Sequence, residues 1–141
     1  MDFLHFGMRV NDIHATSALL QQVLDVTCEP VKQYTVDLDY GAGPVQSTSL
    51  VTHALTRDNT EIELVQALDG PSPDSEVLGD REGVSHVAYR VADLADAMAR
   101  AEAGGLRRVC TFESEYVDFA FYAGAAMGGM LLQLVTFHGE R

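Results

Sequence analysis

LHFGMRVNDIHA, Leu4 to Ala15, and SHVAYRVADLAD, Ser85 to Asp96, are two versions of one phrase set 81 residues apart. His5 aligns with His86, Arg9 with Arg90, Val10 with Val91 and Asp12 with Asp93. Each copy opens as an apolar run of the kind that builds a strand, then passes an aspartate suited to cap a helix. Apolar residues at helical spacing follow: Ile13, Leu19, Leu20, Val23 and Leu24 in the first copy, Leu94, Ala97, Met98 and Ala101 in the second. A strand leading into a helix has thus been duplicated. A second echo closes each half, because EIELVQ at Glu61 to Gln66 is similar to LLQLVT at Leu131 to Thr136, which sets Glu63 against Gln133.

Between these landmarks, Pro30 forbids further helix, and Tyr34 to Tyr40 and Ser47 to Leu55 alternate as strands around a GAGP break. TRDNT, Thr56 to Thr60, reads as a tight turn into the strand that carries Glu63. Leu68 to Gly83 has the Pro, Gly, Ser and Asp content of a linker. Beyond it the pattern restarts, with a strand at Val84 to Val91, a helix at Asp93 to Ala103 stopped by Gly104 and Gly105, and strands at Arg107 to Phe112, Tyr116 to Tyr122 and Met130 to Phe137. His138 to Arg141 is expected to fray. The fold expected is α+β: two tandem βαβββ modules, residues 1–67 and 84–141, joined by the 68–83 linker and curled into one cup-like mixed sheet. Halves of about 70 residues bury little alone, so the two are expected to share a core as one domain.

The balance of charge narrows the function. With 141 residues, a formal net charge of -12 and a pI near 4.5, the chain is a poor match for nucleic acid phosphates. No apolar run approaches the roughly 18 residues that a membrane-spanning helix needs. MDFLHFG lacks the basic start and long apolar stretch of a secretory signal, so a cytoplasmic location is expected. Cys28 and Cys110 are not spaced as a metal knuckle or redox pair and read as reduced thiols.

In a strand, alternate residues share a face, which places His5 with Gly7 and Arg9, and His86 with Ala88 and Arg90. If the first and last strands of each module converge, two imidazoles, one carboxylate and one amide oxygen meet on one line. Such a set suits a divalent ion with mixed nitrogen and oxygen preference and open positions for substrate, rather than a Cys-rich structural zinc. Glu63 adds weight, since a carboxylate between Ile62 and Leu64 is costly to bury without a partner.

LHFGMRVND, TEIELVQ, GVSHVAYRVADLADAMARAEAGG and GGMLLQLV, on this duplicated scaffold, resemble the vicinal oxygen chelate superfamily, which includes glyoxalase I, methylmalonyl-CoA epimerase, extradiol dioxygenases and the fosfomycin and bleomycin resistance proteins. The stretch from Thr60 through Gly105 is most similar to the epimerases. The resemblance covers almost the whole chain. It implies a glyoxalase-like fold, one divalent ion (Zn, Co, Ni, Mn or Fe) on His5, Glu63, His86 and Gln133, a small-molecule substrate and a homodimer. Relative to the epimerase pattern the acid and the amide change places, and DLDYGAGPVQ lacks the glutamate expected in the first module. Asp37, Asp39, Glu113 and Glu115 are the candidate replacements, parity does not choose between them, and the ordinary reading of each is a solvated surface acid.

The activity this implies is that of a metal-dependent isomerase or lyase, which chelates a small carbonyl compound through two neighbouring oxygens and stabilises an enolate. Glu63 is the candidate catalytic residue, as ligand and detachable base. Arg9 and Arg90 are candidates to hold a substrate carboxylate, with Arg107 and Arg108 as further cations for phosphates. Phe119 and Phe121, with Tyr34, Tyr40 and Tyr122, are candidates to line a cleft. Two other readings stand beside this one: a non-haem Fe(II) dioxygenase, which two histidines and one carboxylate also fit, and a resistance-type protein that sequesters a small molecule. The sequence leaves open whether the four ligands meet within one chain or across two.

Overall fold

In the computed structural model, which describes residues 1–139, the alternating run DFLHFGMR becomes strand β1 (Asp2–Arg9) and Asp12 caps the helix that follows it, α1 (Ile13–Val23). The chain continues through β2 (Val26–Cys28), β3 (Lys32–Asp39), β4 (Pro44–Thr56) and β5 (Glu61–Asp69). A short helix, α2 (Ser75–Leu78), leads into β6 (Gly83–Arg90), α3 (Leu94–Ala103), β7 (Arg107–Phe112), β8 (Val117–Ala123), a 3-10 turn at Ala125–Met127, and β9 (Leu131–Phe137).

The nine strands of the described residues belong to one sheet, in the order β2, β4, β3, β7, β8, β9, β6, β1, β5, and β5 pairs back onto β4. The sheet therefore closes into a barrel-like cup, the glyoxalase-like architecture. The duplication is visible in the pairing, since β1 runs parallel to β5 and β6 parallel to β9. The halves meet along the antiparallel β1–β6 ladder, and again where β3 touches β7 at Asp39 and Thr111. Ile13 of α1 packs with Val10, Ala54, Ile62 and Leu64, while Ala97 of α3 packs with Val91, Ala120, Tyr122 and Leu134. Each helix thus covers the outer face of its own half and leaves the inner face for the cup.

Both caps are made as the repeated aspartates imply: Asp12 accepts from the Ala15 N–H at 3.1 Å and Asp93 from the Asp96 N–H at 3.0 Å. Asp12→Ala is expected to cost about 1 kcal/mol. Chemical denaturation should show it as a lower midpoint at unchanged slope.

Four expectations need correction. The apolar stripe of α1 is narrower than its composition suggests, because Leu19, Val23 and Leu24 are exposed and only Ile13 is buried. Ile13, Thr16, Ser17 and Leu20 turn inward, while Leu19 and Val23 lie about a quarter to a third of a turn away. A further three-residue strand, β2, follows α1 and pairs with the end of β4. Of the 68–83 segment, Leu68 and Asp69 extend β5, Gly83 opens β6, and α2 lies between. His138 is anchored rather than frayed: its N–H donates to the Tyr116 carbonyl at 2.9 Å and its ring lies 3.0 Å from the Asp118 carboxylate. Glu140 and Arg141 lie outside the described residues.

Candidate metal centre

Strand pairing places the candidate ligands before any side chain is considered. On the β1–β6 ladder His86 stands opposite Gly7, and His5 opposite Ala88. On the outer sides of these two strands, Glu63 of β5 stands beside Gly7 and Gln133 of β9 beside Ala88. Each small residue is thus flanked by two ligand positions, once per half. An alanine Cβ built at Gly7 would lie 2.0 Å from the His86 ring carbon Cε1, so the missing side chain is the space the imidazole occupies.

The side chains then converge within one chain. His5 Nε2 and His86 Nε2 are 3.2 Å apart, and Glu63 sets Oε1 at 3.4 Å from His86 Nε2 and Oε2 at 3.6 Å from His5 Nε2. Donor atoms sharing one ion through bonds of about 2.1 Å lie roughly 3–3.5 Å from each other, close to the 3.2–3.6 Å found. Gln133 is buried, its amide lies against the His5 imidazole, and its Oε1 has no hydrogen-bond partner. A buried carbonyl oxygen without a donor is costly, and a cation at the convergence point satisfies it. The donor set therefore fits a divalent ion held by His5, Glu63, His86 and Gln133.

Around this set lie groups that repeat-reading does not find. His53 of β4 is directly across the strand pair from Glu63, and its Nε2–H donates to Glu63 Oε2 at 3.0 Å. The corresponding position in the second half is Phe121, opposite Gln133, which offers the amide no donor. Phe121 instead stands edge-on to His86, with ring centroids 5.4 Å apart. On the far side of His86, Ser85 Oγ donates to the Gly7 carbonyl at 3.3 Å and lies 3.0 Å from His86 Nδ1. The hydroxyl thereby accepts from Nδ1–H, so Nε2 is the nitrogen that faces the convergence point and would bind a cation in exchange for its proton. Asp74, buried just before α2, sits 3.7 Å from the same Nδ1.

These neighbours set the charge of the centre. Burial pushes His86 down, but the Asp74 and Glu63 carboxylates outweigh it and lift the imidazole to about 9. His5 goes the other way, to about 4, because burial dominates the attraction of Glu63. Burial would raise Glu63, yet the hydrogen bond from His53 and the nearby His86 and His5 hold it well below the usual carboxylate range. His53 is also depressed by burial, and the hydrogen bond to Glu63 with the charges of Glu63, Glu61 and Glu29 leaves it raised on balance. A carboxylate is therefore kept ionised between imidazoles, as a cation site requires.

The centre lies on the wall of a cavity of about 680 Å³. Phe119 and Phe121 line it together with Tyr34, Phe112, Tyr116 and Phe137. Tyr40 packs beside Cys110 in the core instead, and Tyr122 is fully buried on the outer side, where its hydroxyl donates to Glu102 at 2.6 Å. Arg9 and Arg90 do not line the cavity. Each stands four residues past its histidine, about 13 Å along the strand. Arg9 donates to the Gly79 carbonyl, and Arg90 pairs with Asp2 at 2.9 Å. Arg107 and Arg108 are likewise engaged outside it, with Glu76 and Glu102. Asp37, Asp39, Glu113 and Glu115 are exposed and none reaches the cavity. Cys28 and Cys110 are free thiols, and burial pushes Cys110 up to about 12. Among the described residues, no helix is long and apolar enough to cross a membrane.

A closed cup of two βαβ-type repeats with a two-histidine, one-glutamate cluster on its inner wall defines a vicinal oxygen chelate protein. Residues 4–121 match the glyoxalase/bleomycin resistance protein/dioxygenase superfamily, and the chain belongs to it. Methylmalonyl-CoA epimerase from Mycobacterium tuberculosis superposes with a TM-score of 0.69 at 20% identity, over 96% of this chain and 87% of that one. A hypothetical protein from Bacillus halodurans C-125 gives 0.69 at 16% identity, over 99% and 96%. A variant of 4-hydroxymandelate synthase from Streptomyces coelicolor gives 0.64 at 11% identity, over 99% of this chain and 49% of that longer one. At these identities the likeness is one of fold. No functionally curated protein matches the chain by sequence.

Proposed function

We propose that the protein is a metal-dependent isomerase or lyase that acts on a small carbonyl compound presenting two neighbouring oxygens. The observation that carries this reading is the convergence of His5 Nε2, His86 Nε2 and the Glu63 carboxylate beside the partnerless Gln133 oxygen. A divalent ion bound there would supply a Lewis acid that polarises the substrate carbonyl and stabilises the enolate formed when the adjacent C–H is lost. The remaining work falls to the chain. The aromatic wall excludes water and orients the body of the substrate. Ser85 and Asp74 hold the His86 ring in its ligating direction. Glu63, which lies against both ligand imidazoles, would take the proton, with its Oε2 oriented by the His53 N–H at 3.0 Å. A carboxylate that swings away from its ligand position stays tethered at that atom.

Purified protein is expected to carry about one divalent ion per chain. With that ion present, the protein should exchange the C–H next to the carbonyl of simple α-hydroxyketones for deuterium in heavy water, followed by NMR. Chelation should stop the exchange and the ion should restore it. His5, His86 and Glu63 also match the two-histidine, one-carboxylate set of Fe(II) oxygenases. Oxygen consumption by the iron form without deuterium exchange would select that alternative and defeat the isomerase reading.

A further inference from the structure

We infer that the centre serves a substrate whose two oxygens are carried on an uncharged, apolar body, and that a carboxylate or phosphate on that body is disfavoured. This rests on the metal-centre reading and adds to it the class of molecule admitted. The lining of the cavity is rich in carboxylates, and its basic groups are the imidazoles of His5, His53 and His86. It includes the carboxylates of Glu29, Glu61, Glu63 and Asp74, and among the described residues no lysine or arginine. A divalent ion offsets two of those four charges, and His53, set against Glu63, Glu61 and Glu29, offsets at most one more. The arginines nearest in sequence to the site are committed elsewhere, Arg9 to Gly79 and Arg90 to Asp2.

Away from the centre the wall becomes apolar, with Val36, Leu38, Val51, Phe112, Phe119 and Phe137. An anionic group placed there would lose its water and find no counter-charge, whereas a flat apolar body gains from the same burial. Lys32 shares the face of Tyr34 and Val36 one pleat further out on β3. It is exposed and does not line the cavity. Selection by charge therefore belongs to the four carboxylates and the missing cation.

Zinc-loaded protein, titrated by calorimetry, tests this with benzohydroxamic acid, which presents two adjacent oxygens on an uncharged ring, and with its 4-carboxy derivative. The titrations are run in 0.15 M salt, where fields from the outer surface fade over about 8 Å. The uncharged-ring probe is expected to bind at least about tenfold more tightly than the carboxylated one. Tyr34→Arg, which sets a guanidinium at the half-open edge of the cavity, is expected to narrow that gap. Equal or tighter binding of the carboxylate by the natural protein overturns the inference, as does a gap that Tyr34→Arg leaves unmoved. Zinc uptake is measured first, without probe. Protein that takes no zinc defeats the metal-centre reading and this inference with it, while zinc-loaded protein that prefers the carboxylate defeats the inference alone.

Discussion

His86→Ala protein is expected to emerge from purification without its metal and to fail to recover it at micromolar ion. His86 is 2% exposed and supplies one of the two imidazole nitrogens at the convergence point. Outer partners of metal ligands alone are worth about 10–100-fold in affinity, so loss of a ligand should exceed ~100-fold. The metal-free protein should suffer as well. His86 lies between Glu63 at 3.4 Å and Asp74 at 3.7 Å, and removing it leaves two buried carboxylates with less to neutralise them. Breaking a buried pair in this way costs about 3 kcal/mol, readable in urea denaturation of chelated samples. His53→Ala is the useful contrast, because His53 touches Glu63 and not the convergence point. Its expected loss is ~10–100-fold, with metal still bound at saturating concentration. Elemental analysis that finds full metal in His86→Ala would place the ion somewhere else.

How much of this centre can be read from the chain depends on which kind of contact creates each part. His5, His86, Glu63 and Gln133 are legible because duplication marks them twice, and a parallel strand on each side of the β1–β6 ladder brings the marked positions together. His53 carries no such mark, since its counterpart is Phe121. A signal for it does exist: the β4–β5 hairpin turns around Asp58, and equal steps from that residue pair His53 with Glu63. Asp74 has no local signal, because it sits in a segment with the composition of a linker and gains its role only when α2 folds under His86. Arg9 and Arg90 show the opposite error. Parity assigns them to the face of their histidines, and their strand neighbours Val65 and Val135 do line the cavity, but the Gly79 carbonyl and Asp2 take up the two guanidiniums. Face is readable from a period of two, whereas the partner that captures a long side chain is set only by the folded sheet.

Gly7→Ala, the smallest substitution available, is expected to be nearly as damaging to the centre as removing a ligand. In an ordinary strand alanine in place of glycine is neutral or helpful, because it reduces the freedom of the unfolded chain by about 0.4–1 kcal/mol. Here the new methyl carbon would lie 2.0 Å from His86 Cε1 and 2.5 Å from both ring nitrogens, well inside any tolerable contact. The imidazole has nowhere to retreat, being held by Ser85 on Nδ1 and by the edge of Phe121. Either the ring swings off the convergence point or β1 and β6 part at the junction of the two halves. Overpacking of this kind costs about 1–3 kcal/mol, and the displaced Nε2 should lower metal affinity by about 100-fold. A double-mutant cycle separates this cause from any general intolerance of β1. Once His86→Ala has emptied the space opposite residue 7, adding Gly7→Ala should cost nothing further and return the small gain that alanine brings to a strand. If the second substitution is as harmful in that background as in the natural one, the clash with His86 is not its cause. The glycine between Glu63 and His86 would then owe its place to the backbone alone.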